Sequence, residues 1–323
     1  MQRTLLSLAI AGAFCAWTLP AQAADQAAQD EGAPDRSSHP AEQGEVRKLE
    51  AIEVTARRRE ENIEKVPIAV SAFSEEDLAD MGAENIGGLQ GSVPNLNIVQ
   101  GRGSSSAVNV FIRGIGQPDA LQTFDPGVGM YVDDVYYSRI QGALISLFDV
   151  NHVEVLRGPQ GTLYGKNTTG GAIKIVTREP SQVPTGSVEA TVGDHGRAEG
   201  RFYLSGGLGD MWSASVAGAV VRTDGYVSDP VTGQEFNDDD TKALRAKLQF
   251  KPNETFNATL ALDYTHQNTA LTLGEPTAPL IQTDLVLGPV VLLPAPTGTY
   301  DFHSQTSFPP DRGQELTHKG VAL

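Results

Sequence analysis

Cysteine is almost absent from this chain: its one copy, Cys15, lies inside an apolar N-terminal segment. Residues 1–23 read as a secretory signal, with Arg3 as the positive charge, Leu5 to Leu19 as the apolar stretch and Ala21-Gln22-Ala23 as a small-x-small cleavage site. Phe14, just before the cysteine, does not fit the small residue that a lipoprotein signal requires. The exported chain, starting at Ala24, is then free of disulfides, so its fold must be stabilised some other way. Aromatic residues make up only 7%. No apolar run reaches the ~18 residues of a spanning helix, so any membrane entry must be by strands. Basic residues are scarce too, 24 Lys plus Arg against 40 Asp plus Glu, and a net charge of −16 argues against a nucleic-acid partner. The 6 histidines never fall at metal-ligand spacing. Neither G-x-S-x-G nor G-x-G-x-x-G occurs, so no catalytic residue, metal site or cofactor is expected and an enzyme reading has nothing to stand on.

What the chain does have is glycine, concentrated in DVNHVEVLRGPQGTLYGKNTTGGAIKIVTREP from Asp149 to Pro180. Two apolar, β-branched runs, His152 to Leu156 and Ala172 to Thr177, flank a segment holding Gly158, Gly161, Gly165, Gly170 and Gly171. The pattern predicts strand, glycine loop, strand, with a loop that another backbone can approach closely. It is not a phosphate loop: Gln160 stands where glycine is required, and Lys166 is followed by Asn167.

Upstream, Ala24 to Lys48 is polar and carries almost no large apolar residue, the composition of a disordered linker. It is too short for an additional folded domain. In Leu49 to Glu60, Ile52, Val54 and Ala56 alternate with Glu53 and Thr55, which predicts one short strand with no sheet of its own, able to add to the edge of a partner's sheet. The alternative is that it forms the first strand of the domain that follows. Val66 to Phe73 reads as a strand and Ser74 to Met81 as a helix, with Ser74 and Asp77 as a capping box and Gly82 as its stop. A short helix is expected over Ile86 to Ser92, then strands at Asn97 to Gln100 and Asn109 to Arg113 around GRGSSSA. Val128 to Ser138 reads as a hairpin turning at Asp133 and Asp134, two carboxylates better explained by the turn than by acid–base work. Gln141 to Phe148 reads as a short amphipathic helix.

After Pro180 the period changes to two. Leu244, Ala246, Leu248 and Phe250 alternate with Arg245, Lys247 and Gln249, and Phe256 to Thr265 alternates likewise. Strands are expected near 185–193, 197–206, 211–223, 241–251 and 255–267, with a sixth from Thr317. Tight connections at Gly206 to Asp210 and Pro252 to Glu254 contrast with long ones at Asp224 to Asp240 and Asn268 to Leu316. That is the pattern of strands between lipid and an aqueous lumen, with short turns on one side and long loops on the other. A soluble β-sandwich also alternates and is the plainer alternative.

The string LRGPQGTLYGKNTTGGAI, Leu156 to Ile173, resembles the end of the plug domain of TonB-dependent outer-membrane receptors, and NVFIRGIG, Asn109 to Gly116, resembles that family's other plug signature. The resemblance implies an α+β plug domain, a small mixed sheet with short helices, followed by the first strands of an antiparallel transmembrane β-barrel that is incomplete in this chain. The organisation is then signal peptide 1–23, disordered linker 24–48, TonB box region 49–60, plug 61–180 and partial barrel 181–323. A plugged barrel needs about 22 strands. The sequence is therefore expected to be the N-terminal part of a longer protein. The resemblance makes Ile52, Glu53, Val54, Thr55 and Ala56 the TonB contact, and Arg113 and Arg157 a plug–barrel contact to acidic groups of the wall. Gln117, Asp119, Tyr137 and Arg139 become ligand-binding tips. It also implies location in the outer membrane, in contact with its lipid, energy from TonB and its inner-membrane complex, and import of an extracellular ligand, most often a ferric siderophore. The rival from another class is a plug-only periplasmic TonB-interacting protein, or a non-functional fragment.

Overall fold

The computed structural model describes residues 53–59, 61–100, 106–118, 123–139, 142, 147–274, 280–284, 288–293, 301–304 and 313–323. The signal, the 24–48 linker, Ile52, Asp119 and most of the helix expected over 141–148 lie outside them.

The first strands are short: β1 (Glu53–Val54) pairs antiparallel with β2 (Glu61–Asn62), and β3 (Val70–Ser74) follows. The residues before Val70 in the expected 66–73 strand are not extended pairs. Helix α1 (Glu75–Asp80) starts at Ser74, whose hydroxyl accepts from the Asp77 amide while the Asp77 carboxylate accepts from the Ser74 amide. Gly82 at φ 61 ends it. The helix expected over 86–92 is one 3-10 turn at Ile86–Leu89, because Gly87 and Gly88 weaken a longer one. Then come β4 (Leu96–Gln100), β5 (Val108–Ile112) and β6 (Ile115–Gly116), an antiparallel set of three.

Strands β7 (Val128–Val132) and β8 (Val135–Tyr137) make the expected hairpin. Asp133 and Asp134 both sit at positive φ, 44 and 66, as a two-residue turn demands. Strand β9 (Val150–Arg157), a single helical turn α2 (Gly161–Tyr164) and β10 (Gly171–Thr177) complete the sheet, ordered β3-β9-β10-β7-β8. The β10–β7 pair is parallel and the rest antiparallel. The glycine segment is therefore not all loop.

The sheet buries both faces. Val153, Val155, Ile173, Ile175, Met130 and Val132 pack under α1 and β4–β5. On the other face, Leu156, Ala172, Tyr131 and Tyr164 pack against Val54, Ala56 and Val66. Each such side chain contributes about 1.5–3 kcal/mol. The segment expected to be a strand without a sheet is therefore paired with β2 and covers the second face of the plug sheet.

The remaining strands are β11 (Thr185–Val192), β12 (Ala198–Gly209), β13 (Trp212–Thr223), β14 (Val227–Ser228), β15 (Glu235–Phe236), β16 (Asp239–Asn253), β17 (Phe256–Ala270), β18 (Leu280–Asp284), β19 (Gly288–Leu293) and β20 (Gly313–Ala322). Six form one antiparallel sheet ordered β11-β12-β13-β16-β17-β20, which among the described residues is open at both edges. The long connections are not plain loops, since β14–β15 and β18–β19 are hairpins within them.

Polarity in this sheet is inverted relative to a soluble protein. Arg245, Lys247 and Gln249 are buried against the plug while Leu244 is 45% exposed on the opposite face. Val188, Val192, Leu204, Leu260 and Leu262 are likewise exposed. Trp212, Phe250 and Phe256 cluster at the short-turn end, with ring centroids 4.5 and 6.2 Å apart. An apolar exterior edged by aromatics and a polar interior is the arrangement of a lipid-facing barrel wall, not of a sandwich.

The close approach foreseen for the glycine segment occurs at Gly171, φ 150, where a Cβ would stand 2.2 Å from the Leu156 carbonyl oxygen and 2.9 Å from Ile112 Cδ1. Gly171→Ala is expected to lower stability by about 3 kcal/mol or more, whereas Gly161→Ala, with nothing within 4 Å of its Cβ, stays within about 0.5 kcal/mol. Denaturant midpoints of the two variants check this, and equal midpoints would contradict it.

Candidate functional site

Two places on the plug bear on function: the face that holds residues 53–56, and the end facing the long connections.

At the first, Glu154 and Lys174 face each other across the β9–β10 pair. Both interrupt apolar runs, HVEVL and AIKIV, and both are buried. Glu154 Oε1 accepts from the Thr55 amide at 2.5 Å and the Thr55 hydroxyl at 2.8 Å, and His152 Nε2 lies 3.0 Å away. Lys174 Nζ donates to Thr55 Oγ1 at 2.8 Å and lies 3.0 Å from Asp134. The Tyr164 hydroxyl donates to the Ala56 carbonyl at 3.0 Å, and the Tyr131 hydroxyl donates to the Tyr164 carbonyl at 2.6 Å. Val54 and Ala56 are fully buried. Residues 54–56 are thus gripped at backbone, hydroxyl and side chain. The paired charges in two adjacent strands were a sequence signal for this site that reading the runs simply as strands passed over.

Burial opposes ionisation of Glu154. Hydrogen bonds from His152 and Thr55 and the nearby Lys174 charge outweigh it, so the carboxyl is held below its ordinary range.

Along the wall, plug and sheet meet through charge. Asp149 is 2.5 Å from Arg245, which also reaches Asp263 at 2.5 Å. Asp133 accepts from the Thr177 amide at 2.8 Å and its hydroxyl at 2.5 Å, and lies 2.9 Å from Lys247. Glu84 meets Arg197 at 2.5 Å. The turn carboxylates therefore do more than form a turn. Burial opposes ionisation of Asp133 as well, but Lys247 and Thr177 hold its carboxyl below the usual range.

These contacts put acid on the plug and base on the wall. Arg113 sits in an exposed turn at φ 54, and Arg157, half-buried, ends β9 with its Nε unpartnered. Among the described residues neither makes an ion pair with a carboxylate.

At the end facing the long connections, a cavity of about 270 Å³ opens between plug and sheet. Glu84, Glu199, Asp239, Arg201, Tyr226 and Tyr137 are among its lining residues. Gln117, Tyr137 and Arg139 share a smaller apolar crevice of about 20 Å³, so three of the four expected ligand-tip residues come together. Arg139 pairs with Asp125 at 3.4 Å. Most of the larger cavity escaped the sequence reading because its walls come from positions scattered between Glu84 and His318.

A small mixed plug sheet seated against an antiparallel wall with an apolar exterior is the arrangement of a plug domain followed by the first strands of a β-barrel, incomplete in this chain. Residues 62–172 match the family model described as TonB-dependent Receptor Plug Domain. The pesticin receptor of Yersinia enterocolitica is 33% identical over 210 residues, 63% of this chain and 30% of that protein. Among solved structures, the ferric yersiniabactin uptake receptor of Yersinia pestis is similar at TM-score 0.57 and 30% identity, covering 63% of this chain and 32% of that one. The ferripyoverdine receptor of Pseudomonas aeruginosa shares the fold at TM-score 0.58 and 16% identity, covering 70% and 29%. Residues 62–172 are thus the plug domain of the TonB-dependent receptors, and the strands that follow are similar to the first part of such receptors. It spans about three-tenths of the length of the curated relatives it matches.

Because the folded-state value of Glu154 is lowered, the grip on Thr55 is complete above the ordinary glutamate value of 4.5 and is lost only as pH falls through a value below that. A nitroxide on Arg59→Cys is expected to stay immobile from about pH 5 to 8 and to gain mobility only below 4.5. Mobilisation centred at or above 4.5 would contradict this. Glu154→Gln, which loses charged hydrogen bonds of about 1.5–3 kcal/mol, is expected to be mobile throughout.

Proposed function

We propose that the protein works in the outer membrane as a TonB-dependent receptor that binds an extracellular iron chelate and imports it. The observation that carries this is the inverted wall: buried Arg245, Lys247 and Gln249 against the plug, exposed leucines and valines outward. Such a sheet suits lipid on one side and a filled lumen on the other.

In this reading the ligand enters from the end with the long connections and meets the cavity lined by Glu84, Glu199, Asp239 and Tyr137. Gln117, Asp119, Tyr137 and Arg139 are its proposed contacts. The lining has more carboxylates than guanidinium groups, which favours a chelate that offers hydrogen-bond donors over a polyanionic one. Residues 52–56 are the proposed TonB contact, an extended segment that adds to the partner's sheet edge through its backbone. Docked as they are, Val54 and Ala56 are inaccessible. Ligand must therefore favour a state in which the Glu154 and Tyr164 contacts open, because only differential affinity can shift such a balance. Arg113 and Arg157 are proposed to hold the plug to acidic groups of the wall, the guanidinium fork suiting carboxylates. The work of opening comes from the inner-membrane complex through TonB.

Uptake of radiolabelled iron chelates by cells expressing the protein tests this. Uptake is expected to require TonB and to fall at least tenfold in Val54→Pro, because proline removes a backbone donor that strand addition needs. Surface binding by de-energised cells reports that the receptor is present. Equal uptake without TonB would overturn the proposal.

A further inference from the structure

The hairpin β7–β8 touches three parts of the molecule at once. At its open end Tyr137 lines both cavities and stacks on His318 of β20, ring centroids 5.3 Å apart. At its turn, the two adjacent carboxylates diverge. Asp133 goes to the wall, 2.9 Å from Lys247 and bonded to Thr177, whose hydroxyl Lys247 also contacts. Asp134 goes to the plug's other face, 3.0 Å from Lys174, which is 2.8 Å from Thr55 Oγ1. A second connection runs from the middle of the hairpin, Tyr131 to the Tyr164 carbonyl and the Tyr164 hydroxyl to the Ala56 carbonyl.

Two successive non-glycine residues stand in the left-handed region, at φ 44 and 66, a conformation that side chains disfavour. Such a turn persists where its surroundings over-determine it, and here an ion pair on each side does so. The Lys174 ammonium is almost fully buried between Asp134 and Thr55, so displacement of the turn removes its counter-charge and its grip on Thr55 together. Parallel pairing of β7 with β10 places Tyr131 beside Lys174. The hairpin and the strand that holds the segment therefore cannot move independently.

We propose that β7–β8 couples the cavity and wall to residues 53–56, with Lys174 as the positioning residue that its turn controls. Displacing Asp133 from the wall frees the segment even though Asp133 does not touch it. This rests on the reading that residues 52–56 are the partner-binding strand, but the coupling itself is measurable with neither partner nor ligand present.

The sole cysteine, Cys15, lies in the N-terminal apolar segment, so single reporters are clean. Val54→Cys places a thiol at a fully buried site on one face of the plug sheet, and Ile86→Cys places one at an equally buried site on the other. Maleimide reaction of Val54→Cys in the purified full protein is expected to accelerate about ten- to a hundredfold in Lys174→Met, from loss of a charged hydrogen bond. It should accelerate several-fold in Asp134→Asn and Asp133→Asn, and Lys174→Arg should restore most of the parent protection. The Ile86→Cys reporter is expected to keep its parent rate in all of them. An unchanged Val54→Cys rate in Lys174→Met overturns the proposal. So does acceleration in Lys174→Met with Asp133→Asn at the parent rate, which breaks the link across the turn. Parallel acceleration at Ile86→Cys, which signifies general loosening of the plug, overturns it as well. Coupling seen here alongside TonB-independent uptake would instead reject only the transport reading.

Discussion

A carboxylate buried in the plug sheet sets the terms for the rest of this structure. Glu154 is inaccessible to solvent, and burying a carboxylate without partners costs several kcal/mol. Its own sheet supplies the His152 contact and the nearby Lys174 charge, and Thr55 supplies two hydrogen-bond donors. The segment 53–56 is thus part of the solvation of Glu154 as much as a cover for an apolar face. The arrangement is not saturated, for among the described residues Oε2 has no hydrogen-bond partner. A half-satisfied buried carboxylate favours a docked state that can be left, since rehydration on release offsets part of what Thr55 contributed.

The wall obeys the same logic with charges reversed. Arg245 and Lys247 point away from the apolar exterior and are buried against plug carboxylates at Asp149 and Asp133. Without the plug those basic groups would line an empty lumen. Without the wall, Asp149 would lose its ion-pair partner. Plug and wall therefore stabilise one another by charge across a polar interface, while each keeps an apolar surface elsewhere, the plug in its core and the wall toward lipid. Polar interfaces of this kind rearrange more readily than packed apolar ones.

Much of the fold was legible because its signals are local. The Ser74–Asp77 box, the Asp133–Asp134 turn, the strands on either side of the glycine segment and the period-two runs after Pro180 each follow from a few neighbouring residues. The single turn of α2 was hidden by glycines that read as loop, and the hairpins inside the long connections by weak alternation. Val54 and Ala56 read as a free strand, with a plug strand as the alternative, since apolarity says nothing of what covers it; their docking rests on the distant Glu154 and Tyr164. The wall contacts were beyond reach for the same reason. Arg113 and Arg157 stand out in the family signatures, whereas Asp149 and Arg245 meet across 96 positions of sequence.

The most direct measurement of the account is hydrogen exchange at the Thr55 amide in the purified protein. That amide is bonded to a buried carboxylate in the docked state and free in any state that could pair with a partner strand. The account predicts strong protection without ligand, a protection factor on the order of a hundred or more, falling when a bound iron chelate fills the cavity. Exchange at the rate of an unstructured peptide without ligand, or protection unchanged by any bound ligand, would contradict it.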